Sequence, residues 1–549
     1  MSAGNKTRIA WISAILAGLV LFIPFLGGVH LFDWDEINFA ESAREMLATG
    51  DYLTVKINFL PFWEKPPLFI WMQVVSMKLF GINAFAARFP NAICGVFSLM
   101  ALFYAGRKIF NETFGLLWML VYAGSILPFF YFKSGIIDPW FNLFIFLGIT
   151  RFSYYFIYEQ KRLQNIILSA FFIGLAILTK GPVALLILIL VFGVFLIYQR
   201  FRISTSFRDV AVFILVLAFT GGFWFILQIM NGNYQIIKDF IIYQVRLFST
   251  HDAGHRGFLL YHFVVLFAGV FPASILALPV IFKKPGRYDE QNLFGLWMKM
   301  LFWTVLILFT IVQTKIVHYS SLCYFPLTFI ATVFVHKLYR GDVKWPRWNK
   351  TIVLITAAVY AVAIMALPLI GMFSRKIIVS GLIKDPFAEA NLMANVHWSG
   401  LEVLIGPVFL LLILFILYFL KNRQLAVTGI FAVTILFTYF NVVFITPKIE
   451  GYSQRAAIEF YKSLSDKKVY VATLGYKSYA QLFYADIKPY NKPEASETTW
   501  LLNGDIDRPA YFVYKIQRKE RYREEYPQLE ILFEKNGFVF TKRKEKFNR

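Results

Sequence analysis

Apolar and polar residues alternate along this chain on a long wavelength. Apolar segments fall near 9–32, 86–105, 114–131, 139–158, 165–179, 182–198, 210–229, 258–282, 294–313, 318–336, 351–371, 401–420 and 425–445. Each is long enough, or nearly so, to cross the hydrocarbon of a bilayer, so the pattern predicts about thirteen transmembrane helices. Only "TKGP" separates the fifth from the sixth. The loops between them differ in charge. "GRKIF", "EQKRLQ", "YQRFRISTSFR", "KKPGR", "KLYRGDVKWPRWNK" and "KNR" are rich in Lys and Arg, as cytoplasmic loops are. The loop 33–85, the "SGIIDP" turn, 230–257, "QTKIV", 372–400 and the C-terminal tail then face the other side. This orientation puts the N-terminus in the cytoplasm and the C-terminus outside.

After Pro447 the pattern changes. "SQRAAIEFYKSL" reads as an amphipathic helix, and "KVYVATLG" and "PAYFVYKI" read as strands. "LEILFEKNGFVFTKR" reads as a hairpin turning at Asn536-Gly537, and 486–508 as a loop. The chain therefore divides into a membrane domain, 1–446, and a small exoplasmic α/β domain, 447–549.

Composition agrees with this α-helical, polytopic membrane fold. The 549 residues are 58% hydrophobic and include 61 Phe and 13 Trp, enough for a lipid-facing surface and aromatic belts. The net charge of +22 sits mostly in the loops, so it reads as topology and not as a nucleic-acid footprint. Cys94 and Cys323 lie in apolar segments and have no metal-type spacing. "MSAGNKTR" and the run after it read as a retained first helix.

Several charged groups need more explanation than topology gives. "DWDEINFAES" puts Asp33, Asp35 and Glu36 directly after the first span. "DEINFAESAREMLATG" looks like an amphipathic helix ended by Gly50, with Phe39, Ala43, Met46 and Leu47 on one face. Such a helix would lie along the interface and cover a cavity mouth. Solvated carboxylates at a helix N-terminus are the plainer reading. In "FWEKPPLFIW", Pro66 and Pro67 hold Glu64 and Lys65 on extended backbone. Either this is a surface ion pair, or it is a cation for a phosphate beside a carboxylate for a metal. Asp138 in "GIIDPWF" begins an apolar span, where it can cap the helix or serve function. Lys180 in "LTKGP" can snorkel. "STHDAGHRGF" offers His251 and His255, four apart, with Arg256 beside them. "QTKIVHYSSL" places Lys315, His318 and Tyr319 at a span end. All of these fall on the exoplasmic side, as a phosphate-handling site at the membrane surface requires.

The order of these motifs resembles the bacterial GT-C glycosyltransferases that include the aminoarabinose transferase of lipid A and, more distantly, the protein O-mannosyltransferases. The resemblance runs through roughly the first 340 residues: "DE…FAESAREMLATGDYL", "FWEKPPLFIW", "AARFPNAI", "IIDPWF", "LTKGP", "HR" and "TKIVHY". It implies a GT-C architecture and transfer of a sugar from a polyprenyl phosphate to an exoplasmic acceptor, with inversion. It implies that Asp35 and Asp138 are cavity carboxylates, with Glu36 beside them. Lys65, Arg256 and Tyr319 would contact the lipid phosphate, and Lys180 would assist. Glu64 and His255, with His251 as a further candidate ligand, would bind a structural divalent ion, zinc by resemblance. The chain has Asn38 where aminoarabinose-type members carry Arg, which leaves the sugar unassigned. Expected partners are the lipid-linked donor, membrane lipids and an acceptor that is lipid A, another glycan or protein; no nucleic acid and a monomer are expected. The expected location is the bacterial inner membrane, with the site in the periplasm. Within the enzyme class the alternatives are a protein O-glycosyltransferase and an oligosaccharide ligase. Outside it, a flippase for lipid-linked sugars would spread polar residues through its spans and show inverted repeats, and a structural or sensory protein would leave the loop chemistry unused.

Overall fold

The computed structural model describes residues 3–249, 257–283 and 289–544. Each predicted apolar segment contains helix, but the segments differ in length. Among the described residues nine helices are long and apolar enough to cross a membrane. A bent pair, Tyr261–Gly269 and Ala273–Ile281, with 114° between its halves, is either a broken span, which would make ten crossings, or a re-entrant loop. Sequence pattern alone reads this as one span, 258–282. Pro272 lies at the bend and cannot supply the N–H that a continuous helix needs. The expected span 114–131 is likewise divided into Glu112–Ala123 and Ile126–Tyr131. Between them an added Cβ on Gly124 would stand 2.6 Å from Phe431 Cβ, so close packing explains this glycine. Arg8–Phe22 and Val183–Tyr198 are shorter apolar helices. The molecule is thus a multi-pass helical membrane protein.

Side-chain caps start several spans where the pattern places them. Asn83 accepts from the Ala86 N–H to open Ala84–Ile109, and Asn111 accepts from the Phe114 N–H. The last apolar helix continues from Arg423 to Gly451 through a π-helical stretch, Asn441–Ile445. The change in composition at residue 447 therefore falls inside a helix.

The lid helix runs Asp35–Thr49 and stops at Gly50, whose φ of 72° suits the left-handed cap. Its amphipathic reading needs correction, because every residue from Glu36 to Met46 is buried. One side packs on helix Leu68–Phe80 and another on helix Ala480–Tyr484 of the C-terminal domain. A two-residue hairpin follows, β1 (Lys56–Ile57) with β2 (Leu60–Pro61), turning through Asn58 and Phe59 at positive φ.

In the C-terminal domain β3 (Tyr470–Leu474), β4 (Ala510–Lys515), β5 (Leu529–Lys535) and β6 (Phe538–Arg543) form one sheet in the order β3-β4-β6-β5. β3 and β4 are parallel, with Tyr470 opposite Ala510, and the other pairs are antiparallel. Asn536 and Gly537 turn the last hairpin at φ 49° and 79°, as expected. Helix Arg455–Lys462 buries Ile458, Phe460 and Tyr461. The expected loop 486–508 holds a 3-10 turn, Pro493–Ser496, and a helix, Thr498–Asn503.

Candidate active site

Asp35 and Asp138 come from distant parts of the chain and meet at His318. Its Nε2 lies 3.5 Å from Asp35 Oδ2 and 3.9 Å from Asp138 Oδ2. Asp35 opens the lid helix; Asp138 opens the helix Asp138–Ile157, with Pro139 next. The N-cap position falls to Ile137, so Asp138 is the first residue of the helix and not its cap. Its Oδ1 instead accepts from Lys180 Nζ at 2.6 Å. Lys180 is the last residue of Arg162–Lys180, and its ammonium lies 5.2 Å from the Tyr319 ring centre and 5.7 Å from that of Phe141. Lys180 therefore does not snorkel into solvent.

Lys65 joins the same group from the "EKPP" turn. Its ammonium lies 5.1 Å from the Tyr243 ring centre. Burial lowers its pKa from the ordinary lysine value, and Lys180 adds repulsion; Glu64, Asp35 and Asp138 oppose the change. A lysine held in this way gains from an incoming anion. Lys65, Asp138, Lys180 and Tyr319 line a small cavity of about 70 Å3, completed by Gln244 and by the apolar Val183, Ile187, Phe309, Val312 and Leu322. Asp35 lines a larger cavity of about 410 Å3 with Asp33, Trp34, Phe130 and Lys133. His318 joins the carboxylate of one cavity to that of the other. An anionic group suits the small cavity, and a bulkier molecule with polar and apolar parts suits the large one, whose lining sets Leu26, Val29, Leu127 and Val442 beside Asp35 and Lys133.

Glu36 has a different task from the one its neighbour suggests. Arg88 Nε and Nη2 donate to its two oxygens at 2.9 and 2.7 Å. The Phe32 N–H and the Gly135 N–H donate to it as well. Burial would raise its pKa, but Arg88 and these donors outweigh burial and lower it. With both oxygens engaged, Glu36 positions the site and is not available to react. Arg88 also donates to the carbonyls of Leu26, Val29 and His30. One buried ion pair therefore ties together the end of the first helix, the residue after Asp35 and the turn before Asp138.

Glu64 accepts from Tyr243 Oη at 3.1 Å. Its expected partners His255 and His251, and the expected phosphate contact Arg256, lie outside the described residues. Among the described residues no group of three or more His, Cys, Asp or Glu is placed to hold a metal. Lys315 is not a phosphate ligand: it is buried, and its ammonium donates to the carbonyls of Phe309, Thr310 and Val312, closing a helix C-terminus. Asn38 is buried too. With its amide oriented by its hydrogen bonds, it donates to the Trp34 carbonyl at 3.0 Å and accepts from Trp34 Nε1 at 3.2 Å. The residue that departs from the family pattern thus holds Trp34 in place.

Sequence pattern assigns no role to His318, beside Tyr319, or to Arg88. A signal for Arg88 was present, since an ionisable group inside an apolar segment needs a partner. For His318 the sequence gives no such signal, because its two partners lie far away in the chain.

In fold, this helical bundle with carboxylates and cations converging at one end under a lid helix is similar to solved GT-C membrane glycosyltransferases. The family model for dolichyl-phosphate-mannose-protein mannosyltransferases matches residues 64–224. Among individual proteins, the chain is related to an uncharacterised protein of Aquifex aeolicus, 28% identical over 59% of this chain and 73% of that one. It is also related to the undecaprenyl phosphate-alpha-4-amino-4-deoxy-L-arabinose arabinosyl transferase of Photorhabdus laumondii, 25% identical over 60% of each chain. The match thus spans less than two thirds of the Photorhabdus protein. In fold it is similar to ArnT from Cupriavidus metallidurans, solved bound to undecaprenyl phosphate, with a TM-score of 0.73 at 20% identity over 98% of both chains.

Proposed function

We propose that this protein transfers a sugar from polyprenyl phosphate to an acceptor at the outer face of the bacterial inner membrane, with lipid A or a related glycolipid as the acceptor. The observation that carries this reading is the pair of cavities joined at His318, one small and lined by Lys65 and Lys180, the other larger and lined by Asp35. The small cavity would take the donor phosphate beside Lys65 and Lys180, with the lipid chain leaving past Val183, Ile187 and Phe309. Undecaprenyl phosphate in the Cupriavidus structure is a ligand of this chemistry. The acceptor enters the larger cavity.

The reaction is a direct displacement. An acceptor oxygen forms a bond to the anomeric carbon as the bond from that carbon to the phosphate oxygen breaks, and configuration inverts. Polyprenyl phosphate leaves with the electron pair, and Lys65 and Lys180 offset its charge. If the nucleophile is a hydroxyl, Asp35 takes its proton. If it is a phosphate of lipid A, no proton moves and Asp35 orients the sugar. Asp138 holds Lys180 toward the small cavity.

The positive-inside pattern supports an N-terminus in the cytoplasm and a periplasmic C-terminal domain. Glu64, with His255, is where a structural divalent ion would be held. The fit is reasonable on the Glu64 side, since the donor that reaches this carboxylate among the described residues is the neutral Tyr243 hydroxyl. Such an ion would brace the "EKPP" turn.

Mass spectra of lipid A from cells with and without the gene test the reading. A sugar-sized mass difference is expected. An unchanged spectrum with loss of glycoprotein bands would assign a protein acceptor instead.

A further inference from the structure

The C-terminal domain holds a separate cleft of about 430 Å3 that the proposed reaction leaves unused. One wall is the outer edge of β3, from Val471 to Thr473. β3 is the end strand of its sheet, so this edge has no strand partner. The loop 475–479 forms a second wall, and Asn58, Tyr490, Ser496 and Thr498 form a third. The polar groups in this lining are hydroxyls, amides and one ammonium; it includes no carboxylate.

Gln481 lines this cleft and is only 7% exposed. Its Nε2 donates to the Ser478 carbonyl at 2.9 Å, while its Oε1 accepts nothing among the described residues. A buried acceptor without a donor is costly, so this oxygen points to a ligand donor. Tyr476, Tyr479 and Tyr490 add ring surface. Hydroxyls and amides beside aromatic rings, without a carboxylate, suit a molecule that carries many hydroxyls and has apolar faces. A peptide added as a strand would need an open edge, whereas Tyr490 packs on Tyr470 at the start of β3.

The loop that walls the cleft also touches the residues before Asp35. Tyr479 stacks on Trp34 with ring centres 5.5 Å apart, and Lys477 Nζ stands 4.8 Å from the Trp34 ring centre.

We propose that this cleft is a saccharide-binding site, taking an uncharged or anionic glycan and holding the sugar part of the acceptor within reach of the Asp35 cavity. The acceptor role rests on the proposed transfer reaction; the binding of saccharide does not. The test is saturation-transfer difference NMR on the full-length protein in detergent, with N,N′-diacetylchitobiose as the probe. Signal at the sugar ring protons is expected. It should fall about two- to tenfold in Gln481→Ala, the loss that one hydrogen bond to a ligand implies. It should vanish in Thr498→Trp, which fills the cleft from its rim. Asp35→Asn should leave the signal intact, and size-exclusion profiles should show each variant folded. No signal, an equal signal in Thr498→Trp, or displacement of the sugar by an extended peptide would overturn the proposal. Sugar binding without transfer to any lipid would overturn the transfer reaction and leave the cleft; transfer without sugar binding would do the reverse.

Discussion

Glu36 and Arg88 form two parallel hydrogen bonds, at 2.9 and 2.7 Å, with both side chains buried. The pair fixes the start of the lid helix against the turn that precedes Asp138. Arg88→Ala leaves a buried carboxylate without its cation and should cost about 3–5 kcal/mol. Arg88→Lys keeps the charge but loses the fork, so it should recover only part of the stability. Thermal unfolding of the purified protein checks both. A mere surface pair would give no measurable change.

Asp35→Asn should lower transfer by about 10^2- to 10^4-fold if Asp35 takes a proton from a hydroxyl acceptor. With a phosphate acceptor the loss should be smaller, because no proton moves. The pH profile of the remaining activity separates the two cases. Full activity in Asp35→Asn would remove Asp35 from the site.

Lys65→Ala should weaken use of the lipid-linked donor while leaving the protein folded, since the ammonium stacks on Tyr243 and makes no ion pair within 4.0 Å among the described residues. Donor KM and kcat, measured with a synthetic polyprenyl-phosphate sugar, should show which ground-state or transition-state contact is lost. Lys180→Ala should be worse for stability, because it strands the buried Asp138 carboxylate.

Glu45 supplies a pH dependence. It is fully buried in the lid helix beside Glu41, which Arg44 already binds at 2.7 and 2.6 Å. Burial, then the Glu41 charge and hydrogen bond, push the Glu45 carboxyl up to about 9. The folded-state value is thus above the unfolded one. Its contribution to stability is complete below the unfolded pKa of 4.5 and declines as pH rises to about 9. Glu45→Gln should flatten the stability profile across that window and be more stable than wild type at its alkaline end. Melting temperatures across the range would show this, and parallel curves would refute it.

Much of this protein is set by local pattern. Hydropathy marked where the helices lie, since each span needs an apolar run of its own. The Gly50 stop, the strands of the C-terminal domain and the Asn536-Gly537 turn also depend on residues close in sequence. The charge of the loops and the order of "DE", "EKPP" and "LTKG" marked the end of the bundle where chemistry would gather. What sequence could not settle was which charges react and which brace the fold. Asp35 and Glu36 are adjacent, both acidic and both at the large cavity, but Asp35 meets His318 while Glu36 is bound by Arg88 from a different helix. Lys315 and Lys180 both end apolar segments, but of the two only Lys180 meets a carboxylate among the described residues. Neutralising a buried charge takes a partner within a few ångströms, and that partner comes from any part of the chain that packing brings near. Hydropathy therefore fixed the helices, and only the tertiary structure decided the roles of the charges between them.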